Sequence, residues 1–191
     1  LCNYLLRLGW GHGNEEIIDR NQAIKWFGLE AVGKSPSRFD ISKLASINAH
    51  YLRNADDKRL VNIVMREIRE KFNETVVDCA KDRILRGMPG LKGRSKSIIE
   101  LTENSMFYVF KRPIKISRDA AELLTSEAKC FLREFANILE NSDWSKAALE
   151  VKARTIADQS NIKLGALAQP LRAAITGKTI SPSIFEVMEI L

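Results

Sequence analysis

Apolar residues recur with the period of an α-helix along most of this chain. Leu60, Ile63, Val64 and Ile68 fall at i, i+3, i+4 and i+8, which sets them on one stripe about 100° wide. Asp56 or Asp57 stands just before, able to accept from the orphan N–H groups of a first turn. A longer stripe, Ala128, Phe131, Leu132, Phe135, Ile138 and Leu139, follows Thr125-Ser126 and predicts about four turns ending near Glu140-Asn141. Ser97 and Glu100 have capping-box spacing and open a segment through Ile98 and Leu101 toward Phe110. Asp19, Asp40 and Asn73 are further start signals, before Gln22-Ala23-Ile24-Lys25-Trp26-Phe27, Ile41 to Tyr51, and Val76-Val77. Ser181 precedes Pro182 at what reads as a first helical position.

Only Phe107 to Phe110 resembles a strand, and it lies inside the helical segment opened at Ser97. The pattern therefore predicts an all-α protein. Breaks are expected at Asn54 to Asp57 and from Arg112-Pro113 to Asp119, dividing the chain into residues 1–53, 54–116 and 117–191.

Composition narrows the class. At 191 residues, 45% hydrophobic and 28% charged, the chain can bury one or two modest cores. No apolar run approaches the roughly 20 residues that span a bilayer, and no signal-peptide pattern follows Leu1, so a cytoplasmic protein without a membrane partner is expected. Cys2, Cys79 and Cys130 are scattered and odd in number, which fits reduced, half-buried fillers better than a disulfide framework or a paired-cysteine zinc site. The 30 Lys+Arg against 24 Asp+Glu give a net charge of +6, which favours a polyanionic partner and equally permits an indifferent basic surface.

Gly28-Leu29-Glu30-Ala31-Val32-Gly33-Lys34-Ser35 satisfies the phosphate-loop pattern. Such a loop must leave a buried strand and feed a helix, whereas this one follows a helical segment and meets Pro36 where its helix should begin. Chance similarity is the better account. His12 and His50 have no neighbours suited to a metal or a triad, and the carboxylates are scattered. No catalytic and no metal-binding residue is assigned.

The stretch from Lys81 to Lys96, with Gly87, Pro89, Gly90 and Gly93, carries six cations and one acid, and reads as a basic loop between helices. Such a loop can bring guanidinium groups and backbone donors to RNA, or can be a solvated connector. Phe107, Tyr108 and Phe110 could stack bases, but their spacing favours core packing.

Leu5 to Gly13, Gly33 to Asp40, and Lys43-Leu44 through Asn48-Ala49-His50-Tyr51-Leu52 resemble, in order, the segment after the KMSKS-type loop in bacterial glutamyl-tRNA synthetases. Lys163-Leu164-Gly165-Ala166-Leu167-Ala168-Gln169-Pro170-Leu171-Arg172-Ala173-Ala174-Ile175-Thr176-Gly177 is similar to that family's C-terminal motif. The resemblance implies a class I ligase that uses ATP and magnesium to attach glutamate to tRNA-Glu. Its catalytic domain would precede Leu1, and neither the HIGH-type nor the KMSKS-type signature occurs here, so this chain alone should be inactive and should hold no cofactor.

By the same resemblance, residues 1–53 correspond to the stem-contact domain, with Lys34, Arg38 and Lys43 as tRNA-backbone candidates against the reading of ordinary solvated charges. Residues 54–116 and 117–191 correspond to two subdomains of an α-helical anticodon-binding cage. Arg94 matches the arginine that reads the third anticodon base, with Lys92 and Lys96 as backbone contacts beside it; Lys92 and the flanking glycines depart from the commoner pattern. Arg172, Ser181 and Ile184 match positions that contact the first two bases. A guanidinium offers paired donors to cytosine's carbonyl and ring nitrogen, whereas uracil presents a ring donor. The family also implies a monomer without a DNA partner, and one more basic helix after Leu191. The alternative is a stand-alone helical RNA- or protein-binding adaptor without ligase activity, which would show no basic concavity near Arg94 and Arg172.

Overall fold

The computed structural model describes residues 1–71, 78–140 and 143–191. Among these it contains eleven α-helices and no strand. The first three are α1 Cys2–Leu6, α2 Arg20–Trp26 and α3 Ile41–Asn54; then come α4 Asp57–Lys71, α5 Ala80–Lys92 and α6 Ile98–Ser105. The remainder are α7 Arg118–Glu122, α8 Ser126–Leu139, α9 Lys146–Gln159, α10 Leu164–Thr176 and α11 Ile184–Ile190.

The start signals work as side-chain caps. Asp19 accepts from the N–H groups of Asn21 and Gln22, Asp40 from Lys43, and Thr125 from Ala128. Asp56, not Asp57, caps α4, its carboxylate accepting from the Arg59 N–H at 2.8 Å. Ser97 accepts from the Glu100 N–H, but the Glu100 carboxylate reaches back to the Lys96 N–H rather than to Ser97. Ser181 is not a cap, because α11 begins only at Ile184 and Ser181 is occupied elsewhere. Helix α9, which the apolar pattern did not announce, is capped by Ser145 and buries Leu149, Ala153 and Ile156. The start signal at Asn73 lies outside the described residues.

One continuous core runs from Leu52 to Ile190. Helices α4, α5 and α6 pack on one another; α8, α9, α10 and α11 form a second group; α5 against α11 joins the two. Val64, Ile68, Ile84, Leu91, Leu149 and Ile156 are fully enclosed. Phe107 and Tyr108 are buried as their spacing predicted, in a short 3-10 turn, Met106–Tyr108, that ends the segment opened at Ser97.

The expected basic loop is instead almost entirely helix. Residues 80 to 92 form α5, with Pro89 inside it, and only 93–97 turn. The glycines that looked like breaks are close-approach points: a Cβ at Gly87 would come within 2.7 Å of the Tyr108 ring, and one at Gly90 within 3.0 Å of Pro182. Tertiary packing thus outweighs the weak helix preference of Gly and Pro. The three cysteines are also unlike the expectation, being free and exposed rather than half-buried.

Residues 1–51 are built differently. Their buried apolar residues, Tyr4, Trp10, Ile18, Ile47 and Ala49, are few, and the segment is tied together by the buried Asn3 side chain. Its carbonyl oxygen accepts from the Ile18 N–H at 3.1 Å and the Tyr51 hydroxyl at 2.9 Å, and its amide donates to the Glu16 carbonyl at 3.1 Å. The Asp40 N–H donates to the Tyr4 hydroxyl at 2.6 Å. The phosphate-loop pattern leaves α2 by way of a 3-10 turn with no preceding strand, and the Gly33 N–H donates to the Gly9 carbonyl at 2.7 Å. These residues do not fit a triphosphate, because a backbone donor the ligand would need is already occupied.

Candidate nucleic-acid interface

The Gly93–Ser97 turn between α5 and α6 is held from several sides. Its own N–H groups return to α5, Gly93 to Pro89 at 3.4 Å and Arg94 to Leu91 at 3.1 Å. The buried Ser95 hydroxyl donates to Leu91 at 2.9 Å and accepts from the Asn104 amide at 3.2 Å. From α3, the Asn48 amide donates to the Lys96 carbonyl at 2.6 Å. The Arg94 backbone is fixed by these bonds while its side chain projects into solvent without a hydrogen bond or ion pair.

Arg172 approaches from α10. Its Nε donates to the Ser181 hydroxyl at 3.0 Å and its Nη1 to the Gln169 side-chain oxygen at 2.9 Å. Ser181 is itself buried and donates to the Pro182 carbonyl at 2.9 Å, so a rigid partner orients the guanidinium. Burial, and then the neighbouring charge of Arg94, lower Arg172 below the ordinary arginine value. Arg94 is thus near enough for its charge to be felt at Arg172, and the close contact of Gly90 with Pro182 draws the loop before α11 against α5. Two guanidinium groups in one neighbourhood suit an anionic or acceptor-rich ligand.

Not every cation of the basic stretch joins them. Arg83 donates to the Leu191 main-chain oxygen, and Arg86 to those of Ile190 and Glu189 at 3.4 and 3.1 Å. Both neutralise the negative C-terminal end of α11. Lys92 forms a 2.6 Å ion pair with Asp57 and donates to the Ala55 carbonyl, so it braces α5 against the α3–α4 corner instead of facing a ligand. Of the six, Lys81, Arg94 and Lys96 keep free side chains. Ile184, named as a base contact, is 2% exposed and belongs to the core, which leaves its side chain no surface to offer.

The remaining candidates lie on residues 1–51. Arg38 and Lys43 line one surface cavity of about 680 Å³ together with Arg7, which the sequence reading did not single out. Lys43 also sits 3.5 Å from Glu16, with its own side chain partly and that of Glu16 largely solvated. Lys34 is exposed and does not line that cavity. Gln169 and Lys178 were missed as well. Gln169 is one turn from Arg172 on α10, a signal legible from the i, i+3 spacing. Lys178 donates to the Glu103 carbonyl at 2.8 Å, a long-range contact with no local signature; burial lowers its ammonium below the ordinary lysine value. Among the described residues no cluster of His, Cys, Asp or Glu could hold a metal ion, and no helix is long and apolar enough to cross a membrane.

Fold and site together define a helical module with a pinned, electropositive seam between two helix groups. Residues 51–191 match the anticodon binding domain family, and the chain belongs to that family. Over its whole length it is 46% identical to "Glutamate--tRNA ligase 2" of Zymomonas mobilis, covering 40% of that relative. It is likewise 46% identical, over 99% of its length, to the enzyme of the same name from Rhodospirillum centenum, covering 41% of it. The chain thus spans about two-fifths of these relatives. A solved glutamate tRNA ligase from Elizabethkingia meningosepticum shares the fold with a TM-score of 0.82 at 21% identity, over 99% of this chain and 37% of that one.

Proposed function

We propose that this chain reads the anticodon of tRNA-Glu as part of a glutamate–tRNA ligase. In this reading the full-length protein is a cytoplasmic, monomeric enzyme that attaches glutamate with ATP and magnesium, using residues outside this chain. The observation that supports the reading is Arg94, free on a fixed turn, with its charge felt at the half-buried Arg172, which Ser181 orients. Arg94 reads the third base. A planar guanidinium pairs its donors with the carbonyl and ring nitrogen of cytosine, the third base of glutamate anticodons. The competing base in glutamine anticodons is guanine, not uracil, and guanine turns its own N–H donors toward the same group, leaving donors facing donors.

Arg172, oriented by Ser181 and Gln169, serves the first two bases, and Ile184 contributes by holding α11 in place from the core. Lys96 beside the seam and Lys34, Arg38 and Lys43 on residues 1–51 contact phosphates, while Lys92 acts through its brace on α5. Binding of unmodified tRNA-Glu and tRNA-Gln transcripts at several salt concentrations tests the assignment. Arg94→Ala should cost about 1–3 kcal/mol for tRNA-Glu and erase the preference over tRNA-Gln. Arg94→Lys should keep the salt dependence and lose the preference, since an ammonium is a point charge without paired donors. Equal, unselective binding by parent and variant would remove Arg94 from this role. A helical protein-binding adaptor is disfavoured by the basic seam itself.

A further inference from the structure

A groove of about 270 Å³ lies between α3 and the Gly93–Ser97 turn. One wall is a single face of α3, Ser46, Ala49 and Arg53 at i, i+3 and i+7; the other is Arg94, Ser95 and Lys96. Its floor is made of small or enclosed groups: Ala49 is buried, and the buried Ser95 hydroxyl is turned inward onto Leu91. Its rim is cationic. The side chains of Arg53, Arg94 and Lys96 are exposed and make no hydrogen bond or ion pair. No acidic side chain lines the groove, and the nearby Glu100 carboxylate is occupied by the Lys96 N–H. The Asn48 amide on the Lys96 carbonyl ties the two walls together, so the width is set before any ligand arrives.

Lys92 and Arg172, by contrast, are satisfied internally, the first by Asp57 and the second by Ser181 and Gln169. Three unpaired cations around a preformed, small-floored groove are the arrangement for a phosphodiester, whose oxygens accept from several donors at once. A water's share of liquid volume is roughly 30 Å³, so the groove holds a phosphate with part of its hydration. We infer that this groove binds a phosphate of the RNA strand next to the base that Arg94 reads, with Arg53 and Lys96 as the phosphate ligands. Helix α3 thereby becomes part of the anticodon interface. The inference rests on the RNA-reading function proposed above.

The test uses the whole chain and RNA hairpins carrying the tRNA-Glu anticodon loop, with single phosphates replaced in turn by neutral methylphosphonates. Arg53→Gln and Lys96→Gln should each flatten the plot of log affinity against log salt by about 0.7, and should weaken hairpins with either third base by the same factor. Arg53→Lys should restore the slope, which separates lost charge from damaged folding. One methylphosphonate should weaken the parent more than it weakens Arg53→Gln, in which only Lys96 remains to feel the lost charge. Unchanged slopes in both Gln variants, or methylphosphonate penalties identical in parent and variant, would overturn the groove. Arg94→Ala in the same series separates the two claims: loss of base preference there with no effect of Arg53 or Lys96 leaves base reading standing and the groove refuted. A parent chain that binds no hairpin refutes both.

Discussion

The two ends of α5 carry the same kind of residue and use it in opposite ways. In its first half, Arg83 and Arg86 turn inward onto the main-chain oxygens that end α11. Just past its last turn, Arg94 is held only by its backbone and keeps its guanidinium free. A run of cations in a sequence is thus a sum of two populations, one satisfying the protein's own carbonyls and one left for a ligand. Only the second should move RNA affinity, and only the first should move stability.

The largest effect expected is at the hinge between the populations. Leu91 is fully buried and its carbonyl accepts from both Arg94 and Ser95. Leu91→Ala should destabilise by about 2–5 kcal/mol in chemical denaturation, with RNA selectivity lost alongside as the turn loosens. Next comes Arg83→Met, expected to cost about 1.5–3 kcal/mol because a half-buried charged donor leaves its acceptor behind, while the salt slope of RNA binding stays where it was. A flattened slope in that variant would erase the distinction drawn here.

Lys92→Met should lower stability by about 1 kcal/mol: the Asp57 pair is short but both groups keep some contact with water, so screening discounts it. RNA binding measured at a permissive temperature should change little. Smallest is Lys81→Ala at the exposed start of α5, which should leave the unfolding free energy within about 0.5 kcal/mol of the parent in chemical denaturation. If Lys81→Ala flattens the salt slope as much as Arg53→Gln, the strand follows α5 instead of the α3 groove.

The halves of the chain differ in a related way. From Leu52 onward a continuous apolar core fixes the helices, whereas residues 1–51 rely on Asn3, Tyr4 and Tyr51 hydrogen bonds around a few apolar anchors. Buried polar bonds of this sort are directional, and their partners are distant in sequence, so periodicity carries no trace of them. Caps such as Asp19, Asp40, Ser97 and Thr125 are local and were readable. The Ser181 start signal misled for the same reason that it matters: its hydroxyl is engaged by Arg172, nine positions earlier in the chain.

By itself the sequence determined the all-α class and most helix starts, because caps and apolar stripes act within a turn or two of the chain, whereas Arg94 and Arg172 were singled out only by the family resemblance. Tertiary structure alone decided that Gly87 to Gly90 stay helical, that Arg83, Arg86 and Lys92 are spent internally, and that Arg94 lines a groove against α3. Those outcomes depend on which surfaces are pressed together, and pressing helices together is a property of the whole core, not of any local stretch of residues.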